Sequence, residues 1–176
     1  TVLYRHEKTF VNQTAIAINI DDDTLDTEID ATLENIKSYV LERVGETLVV
    51  DMVAITQKGE DAEAFVKLAK KTWQITNKPL ILRSCCPKAL ATAAEAVKGS
   101  NSVLSAATPD SAEQLAQAAK ENGHALAVTA PDLNGLVKLT ADLKKSDFND
   151  LVLQFNTHSL AEQFQVNSIA RRAALK

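Results

Sequence analysis

The sequence predicts an α/β protein whose most direct architecture is a TIM-like (β/α) barrel that is incomplete. Apolar runs alternate with amphipathic stretches along the chain. The apolar runs are continuous rather than alternating, which is typical of parallel strands covered on both faces. Six such β/α units follow one another, whereas a complete barrel has eight. An open doubly wound parallel sheet is therefore the alternative architecture.

The first unit begins with the apolar run TAIAINI, and strands and helices then alternate along the chain. Strands are predicted over residues 14–20, 47–56, 78–84, 102–108, 125–130 and 150–156. Helices are predicted over about 25–44, 61–76, 87–98, 109–122, 132–145 and 159–175. The first helix follows from apolar side chains at three- and four-residue spacing, at Ile29, Leu33, Ile36, Val40 and Val44.

Proline and glycine mark the expected ends of these helices. Pro87 and Pro109 stand where helices begin, because a first helical turn does not need the missing N–H. Thr108, just before Pro109, is the expected N-cap. Three glycines, Gly45, Gly99 and Gly123, are expected just past helix ends, where a left-handed residue closes a helix.

Composition limits the class of protein. The 176 residues are 45% hydrophobic and 24% charged, which is ordinary for a globular domain. The net charge of −4 disfavours nucleic-acid binding, and no apolar run approaches the roughly 20 residues that cross a bilayer. The two cysteines are adjacent and cannot cross-link distant parts of the fold by a disulfide. The lack of stabilising disulfides favours a cytoplasmic location. We expect one domain over residues 1–176, a fragment of a larger multidomain subunit.

Function in either architecture collects at the carboxyl ends of the strands. The polar residues expected there are Asn19, Asp21, Asp22, Asp23, Thr56, Gln57, Arg83, Ser84, Cys85, Cys86, Thr108, Thr129, Asn156, Thr157 and His158. From this set, Asn19, Asp21, Thr108 and Asn156 are the predicted cofactor-binding residues. The set does not match a known catalytic arrangement, so no catalytic residue is predicted.

Several kinds of chemistry are disfavoured. No lysine lies at a strand tip to form a Schiff base, and no glycine pattern makes a phosphate-binding loop. The run Asp21–Asp23 has the ligand type for magnesium, but a polar loop that favours the following helix N-terminus is the preferred interpretation, and no metal site is predicted. Cys85 and Cys86 suit a thiolate paired with His158, yet burial as small inert side chains is preferred.

Three other polar groups are interpreted as structural. Asp51 lies inside a predicted strand, so we expect an ion pair there. His124 lies at a strand start and is expected to be structural. Arg171 and Arg172 end the last helix, where cations suit the helix dipole, although they also suit a partner contact.

The stretch VLYRHEKTF, residues 2–10, packs five polar side chains between apolar ends. In a strand, Tyr4, His6 and Lys8 share one face while Arg5 and Glu7 share the other. The five groups therefore do not converge on one site. We interpret the segment as a strand that leads into the barrel or covers its mouth or base, with His6 and Glu7 in structural or interface roles.

These same residues carry a resemblance to a known family. VLYRHEKTFVN, AIAINI, ERVGETLVVDMVAI, PLILRS and LAVTAPDLNGL, ending with IARRAALK, resemble the middle domain of the corrinoid iron–sulfur protein large subunit. That protein belongs to the carbon monoxide dehydrogenase/acetyl-CoA synthase (decarbonylase) system. The resemblance covers nearly the whole chain, and YRHEKTF and RVGE are its most specific pieces.

The resemblance implies a function. The family combines an iron–sulfur module, a TIM-like barrel and a corrinoid (cobalamin) domain, and carries a methyl group from methyltetrahydrofolate-type donors to acetyl-CoA synthase. It implies three partners: the small subunit, a pterin-dependent methyltransferase and acetyl-CoA synthase. This chain lacks the cysteine quartet and departs from the family at LVLQFNT and RSCCP, so no cofactor is expected to bind it.

Three hypotheses remain open at this point. The first is a scaffold and subunit-interface barrel of the methyl carrier, without catalytic activity of its own. The second is a stand-alone pterin-binding methyltransferase-like barrel that uses Asn19, Asp21 and Asn156. The third is a divergent, non-catalytic paralogue or binding module on an open sheet.

Overall fold

The computed structural model describes residues 14–174, so the predicted roles of residues 2–10 lie outside the described residues. One parallel sheet and its helices form the fold. The sheet strands are β1 (Ala17–Asp21), β4 (Met52–Thr56), β5 (Leu80–Arg83), β6 (Val103–Ala107), β7 (Ala125–Thr129) and β8 (Leu151–Gln154). The helices are α1 (Asp26–Ser38), α2 (Ala62–Thr76), α3 (Pro87–Ala96), α4 (Ala112–Asn122), α5 (Leu133–Lys145) and α6 (Leu160–Ala174). The predicted α/β class is confirmed.

The order of the strands in space is their order along the chain. The sheet runs β1-β4-β5-β6-β7-β8, and every neighbouring pair is parallel. Successive helices from α1 to α5 contact one another, which requires them to cover the same face of the sheet. A doubly wound sheet reverses its strand order and carries helices on both faces. The arrangement therefore matches a section of barrel wall, open between β1 and β8 in the described part of the chain.

The hydrophobic core lies between the helices and the sheet face they cover. Side chains from neighbouring strands meet there in register, as at Leu82, Leu104 and Leu126, all fully buried. Phe65 of α2 and Leu115 of α4 pack against this face and are also fully buried. Burying one such side chain contributes about 1.5–3 kcal/mol to folding, so this layer fixes the positions of the strand ends.

Of four helix caps, two were not predicted, one was predicted correctly and one was predicted wrongly. Asp61 caps α2 by accepting hydrogen bonds from the amides of Glu63 and Ala64. Asp132 caps α5 by accepting from the Gly135 amide at 2.6 Å. Gly123 closes α4 at φ 76°, in the left-handed conformation expected of it. The prediction that Thr108 caps α4 is wrong, because that helix begins at Ala112 and Ser111 occupies the N-cap position.

The structure corrects the prediction for residues 39–51. Helix α1 ends at Ser38, and an antiparallel hairpin of β2 (Val40–Arg43) and β3 (Glu46–Val49) replaces the last helical turn and the start of the predicted second strand. Val44 and Gly45 form its two-residue turn at φ 54° and 79°, as a type I′ turn requires. Gly45 therefore turns a hairpin instead of ending a helix.

Several elements expose apolar side chains to solvent, among them the hairpin, the edge strand β8 and α6. Val44 in the hairpin turn is 95% exposed, and Leu160 and Phe164 of α6 are 90% and 74% exposed. Val152 and Leu153 on the edge strand β8 are also exposed. The helices from residue 14 to residue 174 include none that has both the length and the apolarity to cross a membrane.

Candidate functional site

The carboxyl ends of the strands carry two groups of polar side chains, which share Thr56. The first group, which we name the edge cluster, consists of Asn19, Asp21 and Thr56. The Thr56 hydroxyl donates to Asn19 Oδ1 at 2.6 Å, and Asn19 Nδ2 donates to Asp21 Oδ1 at 2.7 Å. The parallel register, which pairs Asp21 with Thr56, brings the three together. The edge cluster thus unites two of the predicted cofactor-binding residues.

The second group lines a cavity of about 370 Å³, which we name the edge cavity. Its walls come from strands β4 to β8 and from the loops that follow them: Thr56, Gln57, Arg83, Ser84, Cys85, Pro87, Leu90, Ser105, Ala106, Thr108, Ser111, Thr129 and Gln154. The predicted residue Thr108 lies in this wall. Asn19, Asp21 and the exposed Asn156 do not, so the four predicted cofactor-binding residues are not brought to one place.

Two serine–glutamine pairs set the polarity of the edge cavity. The Ser84 hydroxyl donates to Gln57 Oε1 at 2.6 Å, and the Ser105 hydroxyl donates to Gln154 Oε1 at 3.0 Å. The Cys86 amide donates to Ser84 Oγ at 2.8 Å. Each glutamine therefore has its carbonyl oxygen occupied, and its amide N–H₂ group is the part left to meet a ligand.

Ser105 and Gln154 were missed by the sequence reasoning, because both lie inside apolar strands rather than after them. The pairing of β6 with β7 shifts register between Ser105 and Ala107. The shift comes after Ser105, which still pairs in register with Arg83 and Ala127, so Ser105 faces the cavity by the ordinary alternation of side chains along a strand. The isolated polar letters in VLSAA and LVLQ were the only signal in the sequence.

The cysteine prediction is corrected. Cys85 and Cys86 are exposed free thiols rather than buried side chains, because they lie in the loop between β5 and α3. Within the described part of the chain, neither thiol bonds to His158, whose own amide donates to Glu162 Oε2 at 2.9 Å. The geometry therefore gives no support to a cysteine–histidine nucleophile.

The aspartate loop holds a neighbouring loop in place. Asp22 Oδ1 accepts from the amides of Lys58 at 2.7 Å and Gly59 at 3.1 Å, which ties the loop after β4 to the loop after β1. No side chain caps α1, whose N-cap residue is Leu25, and the interpretation that this polar loop favours the N-terminus of α1 stays a prediction. Over residues 14–174, no group of three histidine, cysteine or acidic side chains is placed to hold a metal ion.

The groups at the opposite end of the strands are structural. His124 is buried; its Nδ1 accepts from the Ser102 amide and its Nε2–H donates to the Ala94 carbonyl oxygen. Burial lowers the His124 pKa, and the bond to Ala94 only partly opposes this shift, so the ring is neutral. Among residues 14–174 Asp51 has no ion-pair partner, contrary to the prediction: its carboxylate accepts from the Ile16 amide at 2.7 Å and is exposed, so water screens the charge.

The fold places the chain among parallel β/α proteins, a class in which functional sites are built at the carboxyl ends of the strands. The family described as CO dehydrogenase/acetyl-CoA synthase delta subunit matches residues 1–176. The chain therefore belongs to this family of acetyl-CoA synthase subunits, as the resemblance predicted.

Curated relatives indicate which subunits of that system the chain is similar to. The chain is 30% identical over its full length to the corrinoid/iron-sulfur protein large subunit of Moorella thermoacetica, of which it covers 40%. It is 28% identical over 99% of its length to the acetyl-CoA decarbonylase/synthase complex subunit gamma of Methanocaldococcus jannaschii, covering 36% of that protein. It is 33% identical over 89% of its length to gamma 2 of Methanosarcina mazei, covering 34%. The chain thus spans between a third and two fifths of the length of these relatives.

Proposed function

We propose that this chain is the barrel part of a corrinoid iron–sulfur methyl-carrier subunit, in which it acts as scaffold and subunit interface. The methyl group would pass from a methyltetrahydrofolate-type donor to acetyl-CoA synthase, in the cytoplasm. Family membership over residues 1–176 supports the system to which the chain is assigned, and the name of the Moorella relative supports the carrier role.

The observation that carries the interface role is the exposed apolar surface. Leu160 and Phe164, one turn apart on α6, are 90% and 74% exposed, and Leu153 of the preceding strand β8 is 45% exposed. Apolar side chains that group on one side of a domain mark protein interaction sites more often than free surface, and aromatic residues are enriched in such interfaces. We assign this surface to the small subunit of the carrier.

The cofactors of the family do not fit the residues of this chain. An iron–sulfur cluster needs four thiolates, and the chain has two cysteines, adjacent in sequence. The edge cavity of about 370 Å³ is at the small end of the range for small-molecule sites, below the size of a corrin ring with its side chains. In our proposal the cluster and the corrinoid belong to the remaining length of the subunit, and methyl chemistry takes place there.

The edge cluster favours a second candidate, a pterin-binding methyltransferase-like barrel. Asp21 and Asn19 form an acidic and amide pair at a strand end, and such groups bind the polar edge of a pterin ring by hydrogen bonds. In this candidate the chain itself binds the methyl donor, whereas the scaffold leaves the donor to a separate methyltransferase.

A calorimetric titration separates the two candidates. The scaffold proposal predicts that the chain associates with the small subunit and gives no heat with methyltetrahydrofolate. Saturable binding of methyltetrahydrofolate that is lost in Asp21→Asn but kept in Asp23→Asn, a control at an exposed carboxylate of the same loop, would refute the scaffold and support the second candidate.

A further inference from the structure

The wall of the edge cavity contains one positively charged side chain and no carboxylate. Arg83 ends β5 and is the one charged side chain among the residues that form the cavity wall. Within the described residues it forms no salt bridge, since the three ion pairs found there involve lysines. An unpaired guanidinium in a cavity wall attracts an anion and presents two parallel N–H groups to it.

Hydrogen-bond donors surround this cation. Arg83 lies in register between Thr56 of β4 and Ser105 of β6. On one side, the backbone N–H of Gln57 donates to the backbone carbonyl oxygen of Arg83 at 2.8 Å, which holds Gln57 next to Arg83. On the other side, Ser105 holds Gln154. Because both glutamine carbonyl oxygens accept from serine hydroxyls, the two free amide N–H₂ groups add donors beside the positive charge.

Thr129 is an independent indication that the cavity is built for a polar ligand. This residue is only 7% exposed and lies in the cavity wall. Its hydroxyl has no hydrogen-bond partner among the described residues. A buried hydroxyl without a partner is destabilising, and such a group in a native protein calls for a bound water, ion or other molecule that completes its hydrogen bonds.

The amino ends of two helices add positive electrostatic potential at the edge cavity. Pro87, the first residue of α3, and Ser111, the N-cap of α4, both line the cavity, and neither helix has a side-chain cap. The amino ends of helices carry partial positive charge and leave amide N–H groups unpaired. The positive charge, the hydrogen-bond donors and the helix amino ends all disfavour a metal cation and favour an anion that accepts hydrogen bonds.

We propose that the edge cavity binds a small oxyanion, either a carboxylate or a phosphate group, with Arg83 as its counter-ion and Gln57 and Gln154 as donors. The cavity volume of about 370 Å³ lies within the usual range for small-molecule sites. This proposal goes beyond the interface role of the chain and does not depend on it, because neither Leu160 nor Phe164 lines the cavity.

The test is a titration of the 176-residue chain with inorganic phosphate and, separately, with acetate, in a low-salt chloride buffer. Calorimetry gives the affinity and backbone amide NMR shifts locate the site. We expect saturable binding of at least one of the two ions, with shifts at Arg83, Gln57 and Gln154, and none with glycerol, an uncharged control. Binding of phosphate alone or of acetate alone identifies which oxyanion the cavity prefers.

Two matched pairs of variants decide the assignment. Arg83→Gln is expected to weaken binding by about tenfold or more, the loss expected for a charge-assisted hydrogen bond. Arg43→Gln, which removes the same charge from the exposed hairpin strand β2, is expected to leave the affinity within about twofold. Thr129→Val is expected to weaken binding, whereas Thr72→Val, at another buried unpaired hydroxyl outside the cavity, is not.

Three outcomes would overturn the proposal. The first is the absence of saturable binding by either ion at millimolar concentration. The second is a folded Arg83→Gln protein, judged by circular dichroism, that binds as well as the parent chain. The third is an equal loss of affinity in Arg43→Gln, which would mean that the ion responds to net charge rather than to the edge cavity.

Discussion

The hairpin turn at Val44 and Gly45 offers a prediction whose sign is unusual, since one substitution should stabilise the structure. Val44 adopts φ 54°, a left-handed conformation that costs an L-residue about 1–2 kcal/mol and is least suited to a β-branched side chain. Its side chain is 95% exposed, so replacing it sacrifices almost no packing. Asn tolerates this conformation, and Asn-Gly is the preferred pair for a type I′ turn.

Val44→Asn should therefore stabilise the hairpin by about 1 kcal/mol. The hairpin is exposed along both strands and can open without global unfolding, so the assay is amide hydrogen exchange of β2 and β3 by NMR. A gain of about 1 kcal/mol slows exchange by roughly fivefold.

Two controls separate the backbone effect from polarity. Val44→Thr is polar but still β-branched and should give little or no slowing. Gly45→Ala should accelerate exchange: an added Cβ would meet nothing within 4 Å, but φ is 79°, so the cost is purely conformational. Unchanged or faster exchange in Val44→Asn would refute the hairpin turn and restore the predicted helix over these residues.

Two further predictions concern the framework that positions the strand ends. Burial lowers the His124 pKa in the folded state. As the pH falls below about 6.5, His124 is therefore protonated in the unfolded state but stays neutral in the folded state. The free energy of unfolding then decreases by up to about 1.4 kcal/mol per pH unit. The free energy of unfolding in urea, measured between neutral and mildly acidic pH, should decrease less in His124→Gln than in the parent chain, and as much in His158→Gln. A pH slope in His124→Gln identical to that of the parent chain would contradict the neutral buried ring. Asp132→Ala removes the hydrogen bond to the Gly135 amide and should cost about 1 kcal/mol, measured by the same unfolding, whereas Asp110→Ala, at an exposed residue outside any helix or strand, should cost much less; equal losses would remove the capping role.

The parallel sheet was predictable because two independent signals agreed. Continuous apolar runs such as LVLQF, together with boundary residues such as Pro87 at a helix start and Gly123 at a helix end, indicated the units. The hairpin was not, because Val40 and Val44 continue the helical spacing of Ile29, Leu33 and Ile36. Their β-branched side chains and the turn at Gly45 favour strand instead, and in this case local backbone preference prevailed over periodicity.

The candidate site was predictable only in part. Carboxyl-end position correctly placed Arg83, Gln57 and Thr108 beside one cavity, because parallel strands end at the same edge. Position along the chain does not reveal how far apart strands lie, so Asn19, on the edge strand β1, was grouped with residues from β6 and β8 that it does not join. Ser105 lies inside an apolar strand and reaches the cavity because it pairs in register with Arg83, a pairing that a single sequence does not reveal.

The most direct test of the scaffold proposal is the affinity of the chain for the small subunit of the corrinoid protein, measured by calorimetry for two variants of α6. Phe164 is 74% exposed, and Gln165 is its exposed neighbour. If α6 is the interface, Phe164→Ser weakens association by about tenfold or more, as expected for an aromatic anchor, while Gln165→Ser stays within about twofold. No association of the parent chain, or equal affinities for both variants, would contradict the proposal.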